Sequence, residues 1–429
     1  MKMLSRTAEM LSRATLNYID SMENTYFRKG FGLKSEIAGR LNADYHSAVV
    51  EAVRANEYRL DVGGLTFRLA REFGFCYGVD RAVEYAYETR TKFPDRRLFL
   101  VGEIIHNPHV NEKLRHMGIT LLAHRPDGEF DFGAVTPDDV VIMPAFGVTI
   151  GDFQRLRAMG CVLVDTTCGS VLNVWKRVES YARDGYTAII HGKHYHEETK
   201  ATASQVMKYP AGRYLVVLDM AEARMICDFI ERGEGLALLE TRFRQAVSPG
   251  FDFARDLTQV GLANQTTMLS GESLAIADEV RKSMVRRYGP DAVDQHFRSF
   301  DTICSATQER QDAVLALIGE PLDVMVVVGG YNSSNTCHLA ALVQQHSILT
   351  YHIEDADAID VVSGAIRHQP IGTKSESVTE RWLGEARIIG ITAGASTPNN
   401  KVGETIARIS AVAGVDAELE TALETKRER

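Results

Sequence analysis

Three cysteines, Cys76, Cys168 and Cys304, each stand between a strand-like apolar run and a helical pattern. Asp165-Thr-Thr-Cys168-Gly-Ser recurs as Asp301-Thr-Ile-Cys304-Ser-Ala, and the two copies lead into VLNVWKRVESYARDG and TQERQDAVLALIG. A looser third copy sets Cys76 between LTFRLA and the helical run VDRAVEYAYETR. A helix N-terminus carries about +0.5 of a charge and exposes free N–H groups. A thiol there is expected to have a lowered pKa and to be readily the metal-binding thiolate. Three such thiolates would fill three corners of a cubane cluster and leave its fourth iron to an exogenous ligand. The spacing is not a local CxxC, so a second reading stays open, in which each cysteine is a small buried hydrophobe at a strand end. Cys161, Cys227 and Cys337 are read in that second way.

Four further loops are rich in hydrogen-bond donors. Ile104-Ile105-His106-Asn107-Pro108 opens a helix with proline at its start. His191-Gly-Lys-His194-Tyr-His196-Glu-Glu198 follows the strand-like YTAII. Gly329-Gly-Tyr-Asn332-Ser333-Ser334-Asn335-Thr336 follows DVMVVV, and Ala393-Gly-Ala-Ser396-Thr397-Pro398 follows RIIGIT. Glycine lets a backbone approach a ligand closely, and Ser, Thr and Asn beside helix N-termini supply donors. That is equipment for a phosphate or diphosphate without a P-loop, since no GxxxxGK[ST] occurs. Each serine loop also reads as a plain helix cap. Glu198 reads either as a carboxyl of raised pKa that holds a proton or as a helix-start glutamate favoured by the dipole.

The elements that must position these groups alternate. Runs such as RLFLVGE, DVVIMPAFG, CVLVD, RYLVVL and DVMVVVGG separate amphipathic stretches, the pattern of an α/β protein with largely parallel sheets. Ligands then bind beyond the carboxyl ends of the strands, where all these loops lie. A chain of 429 residues outgrows a single core, so two or three domains are expected. The formal charge of -9 excludes the basic face of a nucleic-acid binder. No apolar run approaches the ~20 residues of a membrane helix, and no secretory signal is evident, so a cytoplasmic location is expected. An organellar presequence, which would mean the plastid stroma, is the alternative.

Taken together, Gly74-Phe-Cys76-Tyr-Gly-Val-Asp-Arg-Ala82, Glu103-Ile-Ile-His106-Asn107, Asp165-Thr-Thr-Cys168, His196-Glu-Glu198, Gln265-Thr266-Thr267, Asp301-Thr-Ile-Cys304, Asn332-Ser333-Ser334-Asn335 and Ala393-Gly-Ala-Ser396-Thr-Pro398 resemble the LytB-type 4-hydroxy-3-methylbut-2-enyl diphosphate reductases. The match runs in order from about residue 66 to 400, and the residues before it, including YFRKGFG, are similar to the extension of the plant and cyanobacterial branch. The resemblance implies three similar α/β lobes around a central cavity that holds one [4Fe–4S] cluster. It implies an N-terminal extension over 1–65, lobes over 66–166, 167–303 and 304–400, and a C-terminal helix and charged, solvated tail over 401–429. Cys76, Cys168 and Cys304 would be the cluster thiolates. His106, His196, Ser333, Ser334, Asn335 and Ser396 would hold the diphosphate, Thr266 would help orient the substrate hydroxyl, and Glu198 would deliver protons. The bacterial branch has a second diphosphate histidine where this chain reads Pro144-Ala-Phe146-Gly147, so one donor is absent; Phe is similar to the plant-like branch, as is His-Glu-Glu in place of His-Pro-Glu.

The implied reaction is reductive dehydroxylation to isopentenyl and dimethylallyl diphosphate. Electrons would have to come from outside, since no GxGxxG fingerprint for NAD or FAD is evident; the resemblance implies a ferredoxin or flavodoxin donor. Two rivals stand beside it: a zinc enzyme with three cysteine ligands and an open position, and a non-enzymatic iron–sulfur sensor.

Overall fold

The computed structural model describes residues 25–300 and 302–427. Residues 1–24, on which the presequence alternative rests, and Asp301 of the second Asp-Thr-x-Cys copy lie outside the described residues.

Strands of near-continuous Val, Ile and Leu are buried on both faces, as parallel sheets between helices require: every residue of Val140–Met143, Val162–Asp165 and Val324–Val328 is buried. They form three mainly parallel sheets. In spatial order the first holds Tyr26–Phe27, Val162–Asp165, Val140–Met143, Leu98–Val101 and Ile119–Leu122. The second holds Phe297–Ser299, Val260–Asn264, Thr187–His191 and Tyr214–Val217. The third holds Thr350–Ile353, Val324–Val328, Ile388–Ala393, Leu65–Leu69 and the antiparallel Arg59–Val62. A small antiparallel sheet of Ile359–Asp360, Ala365–His368 and Ser377–Thr379 flanks it. Among the described residues no helix is long and apolar enough to cross a membrane.

One expected assignment changes. Leu65–Leu69 was expected to open the first lobe, yet it pairs in parallel with Ile388–Ala393, Thr66 opposite Ile388. Leu65, Phe67 and Leu69 point into the same core as Ile389 and Ile391, so burial of that stripe fixes the strand in the third sheet. The chain then crosses at Gly74–Cys76 to the first lobe, where the helix Tyr77–Lys92 packs Val79, Ala82 and Val83 against Leu98 and Leu100.

The extension is stapled to the body. Tyr26 donates to Asp165 Oδ2 at 2.6 Å, and the backbone N–H groups of Phe31 and Leu33 donate to Glu88 at 2.6 and 2.8 Å. At the other end Asn399–Val412 buries Val402, Ile406 and Ile409 in the third core. The charged segment beyond it was expected to be solvated. It forms the helix Asp416–Arg427, which inserts Leu419 into the same core.

Buried histidines make stability depend on pH. Burial holds His191, His338 and His352 down at about 4. In the folded chain they stay neutral below the ordinary value near 6.5, while the unfolded chain takes up protons there. Their contribution is therefore complete above pH 6.5 and is lost as the pH falls towards 4. Each costs about 2 kcal/mol by pH 5 on that linkage. The thermal midpoint is expected to drop steadily between pH 7 and 5; a flat midpoint over that range contradicts the assignment.

Candidate active site

Cys76, Cys168 and Cys304 are the N-cap residues of the helices Tyr77–Lys92, Gly169–Arg183 and Ser305–Ile318. All three thiols are free and line one cavity of about 110 Å³. A side chain at Gly78 would collide with it: a Cβ there would lie 2.4 Å from Cys168 Sγ and 3.9 Å from Cys76 Sγ. Ser170, from the helix that Cys168 opens, donates to Cys304 Sγ at 3.3 Å. Among the described residues the three thiols are not a group whose ligand atoms all lie within 4.8 Å of one another. The thiol chemistry differs from expectation in one respect. Burial pushes Cys76 up, and neither the Val79 amide nor the Arg310 charge outweighs it. Burial likewise pushes Cys168 up against the Ser170 and Val171 amides. The helix ends are where the repeats put them, but desolvation of a thiolate exceeds their pull.

The donor loops meet the thiols at the same cavity, which His106, His196, Ser333, Ser334, Asn335 and Ser396 also line. Ser333 is a helix cap, its Oγ accepting from Thr336 N–H. Among the described residues Ser334 Oγ, Asn335 Nδ2 and His196 Nε2 are buried with no hydrogen-bond partner; His106 Nε2 makes no hydrogen bond either but lies 3.6 Å from Glu197 Oε2. Buried polar groups are nearly always paired, so three unpaired atoms on one wall mark a binding surface. Ser396 is not a cap; its Oγ lies 3.2 Å from Ser333 Oγ and 3.2 Å from the His106 carbonyl, so the two serine loops interlock.

The two histidines present different faces to the cavity. His196 Nδ1 accepts the Glu198 N–H at 3.1 Å. Burial pushes its pKa well down, so the neutral ring carries its proton on Nε2 and donates into the cavity. His106 Nδ1 lies 3.0 Å from Glu103 Oε2; the carboxylate only accepts, so Nδ1 bears a proton. Phe146 stacks flat on His106, with centroids 4.8 Å apart at 15°. It adds no donor and braces the ring. His106, His196 and Glu197 are close enough to chelate a metal ion. The His196 tautomer turns an N–H towards that point, whereas the neutral His106 ring with its proton on Nδ1 turns a lone pair, and Glu197 Oε2 lies 3.6 Å from His106 Nε2. The donors of His196, Ser334 and Asn335 suit an anion.

Glu198 is fully buried, and burial pushes its pKa up against the Thr266 backbone amide, which donates to Oε1 at 2.6 Å. Both Glu198 and Thr266 line the cavity. A buried carboxyl of raised pKa holds its proton to a higher pH than an exposed one.

Cys161 and Cys227 are buried in apolar clusters, as read. Cys337 sits in a half-buried helix start, its Sγ 3.2 Å from the Tyr331 carbonyl. Sequence reasoning missed Glu103, which also accepts from Asn332 Nδ2 at 3.2 Å. It stood three residues before His106 in a loop, where sequence spacing alone does not bring side chains together. Arg310 was missed as well.

A family model described as "LytB protein" matches residues 67–410. The chain belongs to the LytB family. Two LytB relatives are named 4-hydroxy-3-methylbut-2-enyl diphosphate reductase. That of Thermosynechococcus vestitus is 49% identical, covering 95% of this chain and 99% of its own. That of Gloeobacter violaceus is 50% identical, covering 91% and 93%. A solved structure of (E)-4-hydroxy-3-methyl-but-2-enyl diphosphate reductase, titled the terminal enzyme of the non-mevalonate pathway, aligns with a TM-score of 0.50 at 27% identity, over 80% of this chain and 98% of that one. A Plasmodium falciparum reductase structure, at 19% identity and a TM-score of 0.59 over 80% and 87% of the two chains, shares the fold. The mixed α/β architecture with parallel sheets is thus that of LytB proteins.

Proposed function

We propose that this chain reductively removes the hydroxyl group of (E)-4-hydroxy-3-methylbut-2-enyl diphosphate to give isopentenyl and dimethylallyl diphosphate, the last step of the non-mevalonate pathway. We assign Cys76, Cys168 and Cys304 as ligands of one [4Fe–4S] cluster. The observation that carries the reading is the meeting, in one cavity, of three helix-capping thiols with three buried polar atoms that have no partner among the described residues. A single tetrahedral zinc would draw thiolates to about 3.8 Å from one another. The wider set in this chain suits a multi-iron core better.

When bound, the cluster supplies single electrons and, at the iron without a protein ligand, Lewis acidity towards the leaving hydroxyl oxygen. The chain's own residues do the rest. Ser333, Ser334, Asn335 and Ser396, together with His106 and His196, bind the diphosphate and so fix the hydroxyl end of a short substrate beside the thiols. Thr266 orients that hydroxyl and, through its amide, holds Glu198. Glu198 delivers a proton so that oxygen departs as water; two electrons in all, and a second proton taken up at one end of the allyl carbon skeleton, complete the conversion to either product. The apolar walls exclude bulk water that would compete for those protons. Electrons arrive from a separate protein donor of the ferredoxin or flavodoxin kind.

The test is an anaerobic assay of cluster-loaded protein with a reduced viologen dye and the hydroxylated diphosphate. Dye oxidation with formation of both five-carbon diphosphates is expected. A fully loaded protein that leaves the dye reduced would remove the proposed activity.

A further inference from the structure

Arg310 is 3% exposed, and it forms no ion pair with any carboxylate among the described residues. It stands on the helix that Cys304 opens, yet its guanidinium serves the loop that carries Cys76. Nε and Nη2 donate to the Gly74 carbonyl at 3.2 and 2.7 Å, Nη2 also to the Phe75 carbonyl at 3.1 Å, and Nη1 to the Ala306 carbonyl at 2.8 Å. The two residues held are those immediately before Cys76, across 236 and 235 positions of sequence. The hydrogen bonds that meet this buried charge all come from carbonyl oxygens, and arginine's planar fork is the side chain that satisfies several acceptors at once.

The charge acts on two groups of the neighbouring helix start: against the burial that raises both, it pulls down the Asp80 carboxyl and the Cys76 thiol. Three thiolates around an iron–sulfur core would leave the whole negatively charged. A fixed positive charge in a low dielectric stabilises the more negative of two redox states. The charge is delivered from the side of the protein, one residue from Cys76 and six from Cys304, and no carboxylate among the described residues pairs with it directly.

We infer that Arg310 is a positioning residue for the cluster. It ties the Cys76 loop to the Cys304 helix, and its charge raises the reduction potential of the cluster. The inference rests on the cluster assignment made above. It adds to that assignment a residue that touches neither substrate nor sulfur.

The experiment is an anaerobic redox titration, followed by electron paramagnetic resonance, of cluster-loaded wild type, Arg310→Gln and Arg310→Lys. Only loaded molecules contribute to the signal, so partial loading does not distort the potential. At the wild-type midpoint, Arg310→Gln is expected to show about a tenfold lower ratio of reduced to oxidised cluster, which is the effect of roughly one unit charge worth 1.4 kcal/mol. Arg310→Lys keeps the charge and is expected to titrate close to wild type. Loss of the cluster in Arg310→Gln with retention in Arg310→Lys also supports the role of charge. A midpoint in Arg310→Gln equal to wild type, a shift in Arg310→Lys as large as in Arg310→Gln, or loss of the cluster from both variants would each overturn it. Wild type that never shows a cluster signal sinks the cluster assignment instead, so the two failures are distinguishable.

Discussion

Replacing any one of Cys76, Cys168 or Cys304 by serine is expected to strip the chain of bound iron and sulfide and to abolish turnover. The three sulfurs enter from three helix N-caps, so a missing one leaves a whole side of the site without a ligand. Serine is nearly the same size, but its hydroxyl does not ionise near neutral pH and is a hard donor, whereas iron–sulfur clusters select thiolate. The wall that would hold the diphosphate is left untouched, so the loss should appear in metal content first and in activity as its consequence. Iron and acid-labile sulfide analysis of anaerobically purified variants is the measurement. The controls are Cys161→Ser and Cys227→Ser. These thiols lie 2% exposed in apolar clusters, so each change buries a hydroxyl and costs about 1–3 kcal/mol of stability with cluster content unmoved. A cluster that survives at full content in one of the first three variants would remove that cysteine from the ligand set.

The strand–Cys–helix units could be read from sequence because capping is local. An apolar run, a cysteine and an amphipathic stretch within some twenty residues determine one another, and all three caps fall where the pattern puts them. The serine-rich loop after Val324–Val328 was legible for the same reason, down to Ser333 as the cap. What escaped was set by distance in sequence. Leu65–Leu69 has the alternating burial of an ordinary strand, and nothing within it specifies Ile388–Ala393 as its neighbour. Arg310 stands in TQERQDAV among charged and amide residues that read as a solvated helix face. Only the approach of the Gly74–Cys76 loop from the far end of the chain buries it. The thiol acidities failed likewise. The helix end that lowers a cysteine pKa is visible locally, but the walls that desolvate it come from three lobes, and burial wins at Cys76 and Cys168. Phe146 shows the reverse case: its presence was plain in the sequence, but its flat stack on His106 needed the fold.

Glu198→Gln should retain a full cluster and lose turnover by about 10²- to 10⁴-fold, the range over which a positioned proton donor contributes. Glutamine keeps the length of the side chain and an oxygen to accept the Thr266 amide, now 2.6 Å from Glu198 Oε1, so the local fold has no cause to change. What it lacks is a proton it can release. Because the diphosphate wall is built from other side chains, KM should move little while kcat collapses, the signature of an interaction used in the transition state and not in ground-state binding. The pH profile gives an independent check. Burial raises the Glu198 pKa, and the donor is competent only while protonated. Activity limited by this group therefore persists above the ordinary carboxylate range and is lost as the pH rises through the raised value; a group with a lowered pKa would give the loss on more acidic ground. Glu198→Asp retains an acid one methylene short, so it should turn over more slowly than wild type yet keep an alkaline decline that Glu198→Gln lacks. A sensor that merely carries a cluster has no use for this proton and would be indifferent to both substitutions. Turnover in Glu198→Gln within about threefold of wild type would transfer proton delivery to another group. His196 is poorly suited to replace it, since its neutral ring already spends Nδ1 on the Glu198 amide and, on the proposed reading, would give its Nε2 proton to the diphosphate.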